Sequence, residues 1–144
     1  MLRSQRPAGP VPVVTAAAGA RTVSPGGLLR ASGAITVAGG TLDLGGNKQT
    51  TTDTISFQGG TVQNGTLTNN AVAYDGQSGT VSAVLAGSDG LTKTTSGTLT
   101  LTGASTYTGG TAINAGTLAL GSSGSINNTP SIAIAAGAAY DVSA

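Results

Sequence analysis

The sequence predicts an all-β protein, a parallel β-helix or β-solenoid with coils of about 20 residues, and three observations carry that expectation. Glycine fills 24 of the 144 positions while aromatic residues make up 3% and charged residues 8%. So few large side chains would give a thin compact core, whereas Gly, Ala, Thr, Ser and Asn suit tight turns and pleated surfaces. Short runs such as Gly97-Thr98-Leu99-Thr100-Leu101 alternate apolar with small polar residues, which turns one strand face inward and the other outward. The runs also recur: Ile35 to Leu42 aligns with Ile55 to Val62 at an offset of 20, and Gly97 to Leu101 with Gly116 to Leu120 at an offset of 19.

Taken along the chain, residues 1–30 read as a Pro/Ala-rich, basic, poorly ordered lead-in holding Arg3, Arg6, Arg21 and Arg30. Ala18-Gly19-Ala20 has the outline of a signal-peptide cleavage site, but Pro7, Pro10 and Pro12 interrupt the apolar region such a signal needs. The β-helix segment is expected over residues 31–144. Its first two coils are the Ile35 and Ile55 repeats, which place Gly45 opposite Gly65. Gly79-Thr80-Val81-Ser82-Ala83 begins the next strand, the Gly97 and Gly116 repeats follow, and Ser131-Ile132-Ala133-Ile134 is a further member. The last coil, Gly137 to Val142, replaces the usual Leu with Tyr140 and Val142. About six coils fit between Ala31 and Ala144, a rod on the order of 30 Å long at about 4.8 Å per coil.

Asn64-Gly65, Asp75-Gly76, Asp89-Gly90, Asn69-Asn70 and Asn127-Asn128 read as turns between strands. Asn-Gly and Asp-Gly steps also suit hairpins, so an antiparallel meander is the rival architecture. A shared 20-residue register argues against it, because only a coil must return its inward residues to the same column on every turn. Helix is excluded by the density of Gly and Thr and by the lack of an apolar i, i+3, i+4 stripe. Outward Thr98, Thr100 and Thr117 are placed to face Thr or Ser on the next coil. Stability in such a stack is nearest-neighbour and weakest at its ends, and an open end is an edge that can recruit another chain. Self-association through the β-helix ends is therefore expected.

The inventory for chemistry is poor. The chain has no His, Cys or Glu, which removes the usual general base, the thiol nucleophile, disulfides and ordinary zinc sites. Asp43, Asp53, Asp75, Asp89 and Asp141 are spread along the chain and read as solvated turn residues. Asp43 with Lys48 is the nearest approach to a catalytic cluster, and Lys93 is the other internal cation. Gly39-Gly40-Thr41 and Gly109-Gly110-Thr111 lack the ending of a phosphate loop, and the Gly-Gly-x-Gly-x-Asp calcium repeat is missing. Phe57, Tyr74, Tyr107 and Tyr140 are expected as core fillers or coil-end caps rather than ligand-stacking groups. The expectation is thus a protein that is not an enzyme, with no catalytic, cofactor-binding or metal-binding residue and no cofactor. A net charge of +1 creates no field for nucleic acid, and no apolar run reaches the roughly 18 residues of a membrane helix.

Within Gly90 to Gly121, Leu91-Thr92-Lys93, Ser96 to Leu101, Tyr107 to Thr111 and Ile113 to Leu118 resemble the autotransporter-associated β-strand repeat of Gram-negative autotransporter passenger regions. That resemblance implies a right-handed β-helix forming a structural stalk of a surface-exposed or secreted passenger, serving adhesion, aggregation or display at the cell surface. Membrane association would come through a C-terminal barrel absent from this chain. The alternative is a module that binds carbohydrate or a host surface along an outward Thr/Asn ladder, with a polysaccharide-acting β-helix enzyme as a third reading.

Overall fold

The computed structural model describes residues 14–16, 20–22 and 34–144. The described chain is built of strands alone: β1 (Val14–Ala16), β2 (Ala20–Thr22), β3 (Ile35–Val37), β4 (Thr41–Thr51), β5 (Ile55–Asn69), β6 (Tyr74–Val81), β7 (Val84–Ala86), β8 (Leu91–Lys93), β9 (Thr98–Leu101), β10 (Thr111–Ile113), β11 (Thr117–Leu120), β12 (Ile132–Ile134) and β13 (Ala139–Asp141). Their pairings are parallel. The hairpin meander is thereby ruled out, and the fold is a parallel β-solenoid of about 5 turns. Asn64-Gly65 and Asp75-Gly76, expected as turns, lie inside β5 and β6. In β5 the Asn64-Gly65 step bends a continuing strand, with Asn64 held at φ 57°, a conformation its short side chain tolerates.

One ladder runs β1-β3-β5-β6-β8-β10-β12, and its inward positions form two columns. The first stacks Ile35, Ile55, Tyr74, Leu91, Thr111 and Ile132; the second stacks Val37, Phe57, Gly76, Lys93, Ile113 and Ile134. A second ladder joins β2, β4, β5, β6, β9, β11 and β13 and stacks Leu42, Val62, Val81, Leu101 and Leu120 inward, with Thr41, Thr61, Thr80 and Thr100 as the neighbouring column. The far ends of β4 and β5 pair on through β7, so Gln49, Leu67 and Leu85 line up on a third side. The offsets of 20 and 19 are observed register: Ile35 meets Ile55 and Leu99 meets Leu118.

One expectation needs correction. Gly45 does not sit opposite Gly65; the register shifts between Asp43 and Asn47, and Asn47 takes that place. Asp43 Oδ1 accepts a hydrogen bond from the Gly45 N–H at 2.8 Å, and Gly45 and Gly46 both have positive φ, 60° and 82°, so the corner absorbs extra residues. From Ile35 to Ile132 the first ladder stacks six rungs, which span about five turns. The boundary expected at residue 31 lies outside the described residues, as does most of the lead-in with its signal-like stretch. β1 and β2, however, fall within residues 1–30 and pair with β3 and β4.

Phe57, Tyr74 and Tyr107 are buried and stack along the axis, with ring centroids 6.1 Å apart for the first pair and 6.3 Å for the second. Their burial bears out the core-filler reading. Tyr74 Oη lies 2.9 Å from the Leu67 carbonyl and 2.7 Å from that of Ala86, while the Tyr107 and Thr111 hydroxyls are 2.7 Å apart. A buried phenol needs such a partner. Tyr140, half-buried against the same core, covers its C-terminal end.

Candidate functional site

The polar side chains that sequence reasoning singled out do not gather in one groove. Asp43 is bound within its own corner and to the next coil: Gln63 Nε2 donates to Oδ2 at 2.9 Å and Asn64 Nδ2 at 3.0 Å. These donors, with the Gly45 N–H, hold its carboxyl below the usual carboxylate range, Gln63 contributing most. Lys48 is exposed and lies beyond the register shift, opposite Thr66. Among the described residues neither Lys48 nor Lys93 bonds Asp43, so the Asp43 and Lys48 approach is not a cluster.

Asp75 is different from the solvated turn residue expected of it. It sits half-buried on the outward face of β6 and ties three coils together. Ser56 Oγ donates to it at 3.1 Å from the preceding coil, Thr94 Oγ1 at 2.9 Å from the following one, and Gln77 Nε2 at 2.8 Å from its own. Asp53 caps a corner, accepting from the Thr54 N–H at 3.0 Å. Each of these carboxylates accepts hydrogen bonds from its own or adjoining coils, which is what a stacking element does with a negative charge.

Lys93, read from the sequence only as the other internal cation, has a role that reading did not give. It is fully buried, occupying a position of the inward column between Gly76 and Ile113. Its ammonium donates to the carbonyls of Thr94, Thr95 and Ala115, the last two at 2.8 and 3.2 Å. Burial pulls its pKa below that of a free lysine, and the Asp75 charge partly opposes that pull. The signal was present in the sequence. In Leu91-Thr92-Lys93 the lysine shares parity with the buried Leu91, so period-two reading puts it inside. Thr95 is held at φ 57°, unusual for a β-branched residue, and the lysine fastens its carbonyl there.

Gly76, above Lys93 in the column, explains how the amine fits. A Cβ at Gly76 would lie 2.6 Å from Leu99 Cδ2, so the space is already filled from the second ladder. Gly116, φ 69°, closes the other side: a Cβ there would come 2.3 Å from the Gly97 carbonyl oxygen and 2.8 Å from Lys93 Nζ. Leu91, Lys93, Leu99 and Gly116 are therefore one interlocking unit spanning two coils.

Comparison with family models places this unit. Residues 91–120 match the passenger-associated-transport-repeat. The matched segment runs from the first residue of β8 to the last of β11, one coil and the start of the next, and contains the lysine latch whole. No curated protein and no solved structure matches the chain. The repeat match and the solenoid together support an autotransporter passenger stalk. Among the described residues no group of three or more His, Cys, Asp or Glu could hold a metal ion, and no helix is long and apolar enough to cross a membrane.

Proposed function

We propose that this chain is a structural, non-catalytic segment of a surface-exposed or secreted autotransporter-type passenger, a β-helical stalk that serves display, adhesion or aggregation. The observation that carries the reading is the coincidence of the matched repeat, residues 91–120, with a coil whose ladder contacts continue unbroken above and below. A rod built only of coil-on-coil contacts holds what lies beyond it away from the surface. Engagement of Asp43 and Asp75 by neighbouring side chains supports a structural role for the polar groups.

The test places the 144-residue chain between an export signal with an epitope and an outer-membrane barrel in a Gram-negative host. Antibody reaching the epitope on intact cells, with a protease-resistant fragment covering residues 34–144, is the expected outcome. An epitope that stays inside while a control passenger is exported overturns the proposal. A binding role along the Thr41, Thr61, Thr80 and Thr100 column is the second reading, since an evenly spaced hydroxyl row suits hydrogen bonding to sugar hydroxyls. Specific retention on a glycan array would favour it over a bare stalk.

A further inference from the structure

We propose that Asn64 is a site of spontaneous covalent modification in the folded protein, its carboxamide carbon attacked by the Gly65 nitrogen, with Asp43 as the restraint that sets the rate. Asn64 is the chain's single asparagine followed by glycine, and a glycine nitrogen, with no side chain beside it, is the least shielded of backbone nucleophiles. Packing keeps the glycine there. A Cβ at Gly65 would lie 2.5 Å from the Asn47 carbonyl oxygen and 2.6 Å from Leu44 Cβ, so no larger residue fits this close approach. Asn64 itself is exposed and held at φ 57°.

The step also falls in a gap between ladders. β5 pairs with β6 as far as Val62 and with β7 only from Thr66, so neither Asn64 nor Gly65 has a ladder partner on the following coil. On the preceding coil the register passes from Gln63, opposite Asp43, to Gly65, opposite Asn47, and leaves Asn64 out. A step this sparsely paired has the local freedom to swing the Gly65 nitrogen toward the side chain. The side chain is tethered to the preceding coil: Asn64 Nδ2 donates to Asp43 Oδ2 at 3.0 Å, and the same oxygen accepts from Gln63 at 2.9 Å. Asn69 is the contrast, buried with its Nδ2 on the Asp53 carbonyl and its Oδ1 on the Ala71 and Val72 N–H groups.

The reaction balances with water alone. The Gly65 nitrogen gives its proton to solvent and bonds to Asn64 Cγ; the Cγ–Nδ2 bond breaks and ammonia leaves, closing a succinimide. Water then adds to one ring carbonyl and breaks its bond to nitrogen, leaving aspartate or isoaspartate at position 64. Either product sets a carboxylate where a donor stood, against an Asp43 carboxylate that its own hydrogen bonds keep ionised. Like charges at that separation disfavour each other, and isoaspartate also adds a methylene to the β5 backbone. The tether between this corner and the next coil becomes a repulsion, and the already exposed Gly45-Gly46 corner loosens. Asn64 is thus a slow covalent clock on one corner of the solenoid.

The test ages the purified 144-residue chain at physiological temperature and neutral pH, then denatures it and follows the tryptic peptide between Lys48 and Lys93 by mass spectrometry. Exchange of NH2 for OH and the isoaspartate fragmentation signature are the readouts. Wild type should convert at position 64, several-fold more slowly than the same peptide free in solution. Asp43→Ala, with unchanged far-ultraviolet circular dichroism, should convert several-fold faster than wild type. Ile113→Val, a mild truncation at a fully buried site in a distant coil, should keep the wild-type rate. Lys48 is exposed and Lys93 buried, so native trypsin reports on the corner: aged wild type and fresh Asn64→Asp should both be cut after Lys48 faster than fresh wild type. A wild type left unconverted when the free peptide has reacted fully overturns the proposal. So does an Asp43→Ala rate equal to wild type, an Ile113→Val rate as high as that of Asp43→Ala, or unchanged cleavage of Asn64→Asp.

Discussion

Replacing Lys93 with methionine sets two opposing terms against each other in one measurement. The side chain is fully buried and its ammonium donates to three carbonyls. Hydrogen bonds to a charged group are worth about 1.5–3 kcal/mol each, so the three together favour the lysine by roughly 5–9 kcal/mol. Desolvating an ammonium opposes this by several kcal/mol, about 3–5 here since Asp75 lies near enough to offset part of it. Methionine has nearly the same length and none of the donors. The net expectation is a loss of about 2–4 kcal/mol for Lys93→Met, read as a lower urea midpoint by far-ultraviolet circular dichroism. The pH dependence checks the same reasoning. Because the folded pKa is depressed, the unfolded chain binds more protons between that value and 10.5, so wild-type stability rises with pH in that window and its lead over the variant should widen. A variant as stable as wild type or more so would refute the argument, showing that desolvation outweighs the carbonyl contacts.

Further outcomes follow from the same packing. Leu99→Ala, at a fully buried site, should cost about 2–5 kcal/mol; Gly76→Ala should destabilise the wild type, where its Cβ meets Leu99 at 2.6 Å, but much less in the Leu99→Ala background, a coupling a double-mutant cycle measures. Thr95→Gly removes a β-branched residue from positive φ and should raise the thermal midpoint, by up to about 1 kcal/mol in stability; a lower midpoint would mean that the Thr95 hydroxyl bond to Gln77 outweighs the strain. Burial pushes the Tyr107 phenol up to about 12 and raises that of Tyr74 further. The stability these groups provide is complete below their unfolded value of 10 and is lost as pH climbs through the folded values, on the order of 2–3 kcal/mol for Tyr107 alone. A urea midpoint unchanged between pH 9 and 12 would contradict their burial.

The periodic elements were legible because each obeys a local rule. Ile35 to Leu42 and Ile55 to Val62 share parity and offset, and parallel stacking at that offset is the arrangement that buries both. The corners were not legible. Whether Gly45 or Asn47 faces Gly65 depends on how the Asp43 carboxylate bonds the corner, a choice made by Gln63 and Asn64 from the next coil. Asp75-Gly76 reads locally as a turn, yet lies within a strand paired on both sides, with β5 and β8, where Leu99 fills the space a larger side chain at Gly76 would need.

What the sequence by itself determined is the class of the molecule. Small residues, strict alternation and a period near 20 admit a stack of parallel coils and leave little else, since these are properties of one strand and its copy. Only the tertiary structure decided what the polar residues do, because a charge acquires its role from neighbours a full coil away. Asp75 became a tie across three coils through residues 19 positions away on either side, and Lys93 a buried latch that joins its own corner to Ala115, 22 positions on, and no local pattern specifies where the distant partners arrive.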